Sequence, residues 1–362
     1  MVAWIWRIMI VVMILVSVND SEARRDVLSS EQKGELAKIQ RLLVEVIAIT
    51  DQGPADPGAL TKTVERRMQV LGYTVVTDPQ QPHEAVLRVK CEEHKAWEGT
   101  TQSGGDADLP DSPSRVWKGP ACQLTYLLHG KKMGWHKEVR TDFHDTRQAA
   151  ADAHMDNSGT YALTTLQQRL EDYPFPILLA AEWGQEGRLL KRLDEPTVSP
   201  ALKAKIIAQL GDMFSTVAVP RLLVALKDPD VTIATAAAQA LGTIGQKESI
   251  AALIDVLKTG SPELQAAAAK GLGQVGALHG DFSIIPPLLD ALKTDNLAVK
   301  TEVVWALGKL PDKRAYEPVY ALYRTLQTAE SNGQGPDGEQ MYKLKEALNY
   351  SLKQIDTFDQ FN

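Results

Sequence analysis

Between Leu222 and Leu310 the sequence repeats itself, and this constrains the chain more than any other feature. Leu222, Leu226, Lys227, Ala236, Ala237, Leu241, Gly242 and Gly245 return 31 residues later, without a gap, as Leu253, Leu257, Lys258, Ala267, Ala268, Leu272, Gly273 and Gly276. A third copy begins at Leu288 and carries Leu292, Lys293, Ala306, Leu307 and Gly308, and a weaker copy runs from Leu189 to Gly211. A period of this length implies stacked supersecondary units, none of which can bury its apolar face alone.

Each copy reads as two helices. In the second copy Ile250, Leu253, Ile254 and Leu257 share one helical face. Turn signals follow at Asp228-Pro229-Asp230, Gly260-Ser261-Pro262 and Asp295-Asn296. Pro262 suits the first turn of a helix, where its missing N–H is no loss. The next segment is alanine-rich (Ala234, Ala236–Ala238, Ala240; Ala266–Ala269), which favours helix and close helix approach. Leu241-Gly242 and Leu272-Gly273 are expected to end the units, with a glycine in the left-handed cap.

The pattern Leu-x-x-Leu-Lys-Asp followed by Val-x-x-x-Ala-Ala-x-Ala-Leu-Gly-x-Ile-Gly resembles the HEAT repeat of the short bacterial type, often labelled phycobilin-lyase-like. The resemblance implies an all-α solenoid of four to five helical pairs over residues 187–356. It also implies a protein partner bound on the surface formed by successive second helices. The shared residues are packing residues, so the resemblance defines a fold rather than a reaction. Some proteins with such repeats resemble deoxyhypusine hydroxylase, which holds iron through His-Glu pairs. Here the one adjacent pair, His83-Glu84, lies outside the repeats.

Upstream of the repeats the chain changes character. Ile8–Val18 is an apolar run preceded by Arg7 and followed by the small residues Ser21 and Ala23. Residues 1–23 therefore read as a secretory signal peptide cleaved after Ala23, or as an uncleaved N-terminal anchor. This predicts a periplasmic or secreted protein, membrane-anchored if the segment is retained. The net charge of −7 disfavours nucleic acid as a main partner, because phosphate binding needs a basic surface.

Residues 26–173 read as a small α+β domain with an antiparallel sheet backed by helices. An amphipathic helix is expected over 29–49, from Leu36, Ile39, Leu43, Val46 and Ile47, capped by Ser29 or Ser30. A second helix is expected over 59–71, a strand over 73–77, and alternating strands over 87–91, 122–126 and 135–141. The polar stretch 99–115 reads as a long hairpin loop, and residues 161–170 as another helix.

Two cysteines are present. Pairing Cys91 with Cys122 sets Val89 against Leu124 and Leu87 against Tyr126, so register and disulfide agree; two buried free thiols are the alternative. His144, Asp145, His154 and Asp156 match no metal-site spacing, and no nucleophile elbow, phosphate loop or carboxylate pair stands out. No metal, cofactor or catalytic residue is therefore assigned.

The candidates for a binding face are Thr235, Gln239, Gln265, Lys270, Lys300 and Trp305. Trp305 stands where earlier copies carry Gln239 and Lys270; it is either an aromatic anchor or core filling. The sequence thus points to an exported, non-enzymatic adaptor or scaffold. The alternative is an enzyme or enzyme subunit, lyase-like or metal-dependent, gripping a protein substrate.

Overall fold

The computed structural model describes residues 28–99, 115–331 and 338–360. The expected leader, 1–23, and the interior of the expected loop at 99–115 lie outside the described residues. The chain forms two compact units, one of residues up to 65 with 73–169, the other of 66–72 with 170 onward.

The first unit is built on a mixed six-stranded sheet. Helix α1 (Ser30–Leu36) is capped as expected by Ser29, whose hydroxyl accepts from the Gln32 N–H while the Gln32 side chain accepts from Ser29 N–H. The expected helix then fails, because residues 41–50 are strand β1 (Arg41–Thr50). Strands β2 (Gly53–Ala55), β3 (Thr74–Val76), β4 (Ala85–Gly99), β5 (Arg115–Leu128) and β6 (Lys131–Arg140) complete the sheet. Helices α2 (Gly58–Val70), α3 (Thr146–Asp152) and α4 (Ser158–Asp172) accompany them.

The sheet is not wholly antiparallel. β1 runs parallel to both β3 and β4, while the β1–β2, β4–β5 and β5–β6 pairs are antiparallel. This explains the misread segment. An interior strand with a parallel neighbour carries a near-continuous apolar run, here Leu42-Leu43-Val44-Glu45-Val46-Ile47-Ala48-Ile49, and such a run has no clear period of two. Its start is pinned by Glu84, whose Oε2 accepts the N–H groups of Gln40 at 2.6 Å and Arg41 at 2.9 Å.

The β4–β5 hairpin has the expected register: Leu87 faces Tyr126, Val89 faces Leu124, and Cys91 faces Cys122. All six side chains are fully buried, and Cys91 and Cys122 form a disulfide.

On the neighbouring ladder, Lys95 Nζ lies 2.6 Å from Glu138 Oε1, and Arg140 Nε donates to Glu138 Oε2 at 2.9 Å. Burial pushes the Glu138 carboxyl up, but Lys95 and Arg140 outweigh it and hold it below the ordinary value. A carboxyl depressed in the folded state stabilises above its unfolded pKa, roughly 4.3, and loses that contribution as pH falls through the folded value. Stability of this unit is therefore expected to decline below about pH 4.5. Acid titration followed by circular dichroism should show a smaller decline in Lys95→Met.

In the second unit, residues 66–72 at the end of α2 pack with the helices that follow. Arg67 donates to the Tyr173 carbonyl at 2.6 Å and lies over the Phe175 ring. After α5 (Phe175–Glu182) the described residues form five helical pairs. The first helices are α6 (Glu186–Leu193), α8 (Val219–Ala225), α10 (Ser249–Thr259), α12 (Ile285–Ala291) and α14 (Lys313–Ser331). The second helices are α7 (Pro200–Asp212), α9 (Val231–Ile244), α11 (Pro262–His279), α13 (Leu297–Lys309) and α15 (Glu339–Gln360). The second helices stack in sequence order, α7 on α9, α9 on α11, α11 on α13 and α13 on α15.

The turn residues serve as caps for those helices. Asp230 accepts from Thr232 and Ile233 N–H, Ser261 from Leu264 N–H, and Asn296 from Val299 N–H. The Leu-Gly glycines, by contrast, are not caps. Gly242 and Gly273 lie inside α9 and α11, and the left-handed caps are Gly245 (φ 75°) and Gly280 (φ 59°).

Candidate functional site

The Leu-Gly glycines set how closely the second helices approach. A Cβ on Gly211 would stand 3.0 Å from Ala240 Cα, on Gly242 2.5 Å from Gly271 Cα, and on Gly273 2.7 Å from Ala306 Cα. On Gly308 it would stand 2.9 Å from Ser351 Cα. One contact thus recurs at every step: the glycine of one repeat rests on a small residue of the next. This fixes which residues are equivalent across the stack.

By that equivalence, the residues one place before Ala240, Gly271, Ala306 and Ser351 form a row: Gln239, Lys270, Trp305 and Tyr350, with Ala208 beginning it on α7. Ala208, Gln239, Lys270 and Tyr350 are exposed, and Trp305 is half-buried. The rings of Trp305 and Tyr350 lie 4.8 Å apart between centroids, as neighbours in one row should. Trp305 is therefore on the second-helix face rather than sealed in the core.

Three of the six candidates, Gln239, Lys270 and Trp305, fall on this row. Gln265 and Lys300 are equivalent to each other but lie five residues earlier, which turns them about 140° around the helix; both are half-buried. Thr235 lies one turn before Gln239, but it is half-buried and its hydroxyl oxygen is enclosed. The six residues therefore do not make one surface, whereas the row of three extended by Tyr350 does. Repeat spacing alone hid Tyr350, because α15 follows a longer connection and departs from the 31-residue period.

Beside the row runs an open groove of about 220 Å³, lined by Asp212, Ala236, Gln239, Thr243, Lys270 and Gln274, among others. Ala208, Gly211 and Ala240 also line it, so small side chains stand among polar ones there. Farther along, burial pushes the Lys309 ammonium down, and Lys270 adds to this against the pull of Glu302. The surface has polar edges and an aromatic pair at one end.

Comparison with known families agrees with this geometry. A family model described as HEAT repeats matches residues 188–273 and again 250–329. The helical pairs over these residues are consistent with HEAT-like repeats. No curated protein matches the chain. HEAT repeats generally mediate protein–protein interaction. The HEAT match ends at residue 329, short of the α15 helix that carries Tyr350.

The other sequence candidates lie apart. His144 Nδ1 contacts the Lys118 carbonyl at 3.1 Å, and Asp145 caps α3 by accepting from Gln148 N–H. Neither they nor His154 and Asp156 join a group of metal-ligating atoms among the described residues. Glu84 of the His83-Glu84 pair is engaged by the backbone of β1. No described helix is long and apolar enough to cross a membrane.

Proposed function

We propose that this protein is an exported, non-enzymatic adaptor of the short bacterial HEAT type, and that it binds a protein partner along the second-helix row in the cell envelope. The observation that carries this reading is the recurrence of one outward position, Gln239, Lys270, Trp305 and Tyr350, on four successive second helices. A row spanning several repeats suits an extended protein surface better than a small substrate. Export is supported by the leader-like segment 1–23 and by the buried Cys91–Cys122 disulfide, which needs oxidising conditions to persist. N-terminal sequencing of envelope-fraction protein should find Arg24 first; an intact Met1 in the membrane fraction would establish the anchor instead.

The row is tested by Gln239→Arg combined with Lys270→Glu. Both positions are exposed, so the folding stability should change by no more than about 0.5 kcal/mol. Affinity for the partner should fall at least tenfold. Unchanged affinity would remove the second-helix face as the recognition site.

A further inference from the structure

We infer that the first unit holds a divalent transition-metal ion, of which Zn²⁺ is representative, between Asp51, Glu93 and His94. One ligand atom from each lies within 4.8 Å of the other two. His94 Nε2 stands 3.0 Å from Asp51 Oδ1 and 3.9 Å from Glu93 Oε1. Around a tetrahedral Zn²⁺, with bonds near 2.0–2.2 Å, ligand atoms stand about 3.3 Å apart. The observed separations bracket that value, so small side-chain adjustments close the site.

Three features show that this is more than two acids near a histidine. The first is the strand. Successive residues of a regular strand point to opposite faces, so Glu93 and His94 should not both reach Asp51. The register of β4 on β5 shifts between Glu92 and Lys95, and this bulge brings both side chains to the turn after β1.

The second is burial. The Glu93 side chain is 1% exposed, yet its hydrogen-bond donors are neutral: Asp51 N–H to Oε2 at 2.9 Å and the Ser158 hydroxyl to Oε1 at 2.8 Å. A carboxylate held so deeply beside a second carboxylate gains from a cation. Gly159 leaves room for the Glu93 carboxylate itself, since a Cβ there would stand 3.0 Å from Glu93 Oε2 and 2.8 Å from Thr50 Cγ2.

The third is orientation. The backbone and Ser158 fix Glu93, and the Arg147 guanidinium lies 3.4 Å from Asp51 Oδ2, the oxygen that faces away from His94's contact. Outer partners of this kind orient the ligands of metal sites. His94 and Asp51 are partly exposed, which leaves a path for entry and a fourth position for water. One imidazole and two carboxylates form a mixed nitrogen and oxygen set suited to Zn²⁺ or a neighbouring divalent ion.

The test is calorimetric titration of the chelator-stripped full chain with Zn²⁺. One saturable site per chain is expected, weakened at least tenfold in both Asp51→Asn and His94→Gln. These two residues carry the test because both are partly exposed and circular dichroism should show their variants folded. Glu93→Gln should also lose the site, but it alters a buried side chain that accepts from the Ser158 hydroxyl. Absence of a saturable site in the unaltered chain, or unchanged affinity in the two folded variants, would overturn the inference.

Discussion

Gly242→Ala is expected to destabilise the repeat unit by about 3 kcal/mol, although alanine is the better helix former by roughly 1 kcal/mol. The added Cβ would stand 2.5 Å from the Gly271 Cα and 2.6 Å from the Gln274 side chain, so two helix backbones must separate. Separation at that point would also loosen the burial of Leu241 and Leu272, both fully enclosed. The comparison is Gly187→Ala in α6, where a Cβ meets nothing within 4 Å. That change should stabilise by about 0.5–1 kcal/mol. Urea denaturation of the two variants should therefore give shifts of opposite sign. A stabilised Gly242→Ala would contradict the stacking derived from these contacts.

The second large effect concerns the first unit. Replacing Cys91 and Cys122 together by alanine should lower its stability by about 3–4 kcal/mol, the chain-entropy value for a closed loop of this size. The bridge spans a sequence separation of 31 and closes the β4–β5 hairpin from Cys91 to Cys122, including the stretch outside the described residues. Both cysteines are fully buried, so reductant should act slowly on the folded unit. Thermal denaturation with and without the substitutions measures the effect. A shift confined to the repeat unit would contradict the placement of the disulfide in the sheet.

Much of this architecture was legible in the residues for a physical reason: repeats multiply a weak signal. The helical pairs, their turns and the second-helix position of Trp305 follow from comparing copies. The β4–β5 register was legible because cysteine pairing and alternation agree. What the sequence concealed depends on contacts distant along the chain. Residues 41–50 carry helical spacing by chance within a continuous apolar run, and pairing with β2, β3 and β4 makes them a strand. The role of Gly242 is invisible locally, since a glycine one turn from a helix end resembles a cap until Gly271 is seen against it. Asp51 lies 42 residues from Glu93 and meets it through a bulge that no alternation pattern announces.

The central claim is that the partner lies along one row of the second helices. Photo-crosslinking measures this directly, with a photoreactive amino acid placed singly at Gln239, Lys270, Gln265 or Lys300 in cells producing the full chain. The account predicts that Gln239 and Lys270 capture the same partner, while Gln265 and Lys300, turned about 140° away, do not. Capture from Gln265 and Lys300 but not from Gln239 and Lys270 would contradict it.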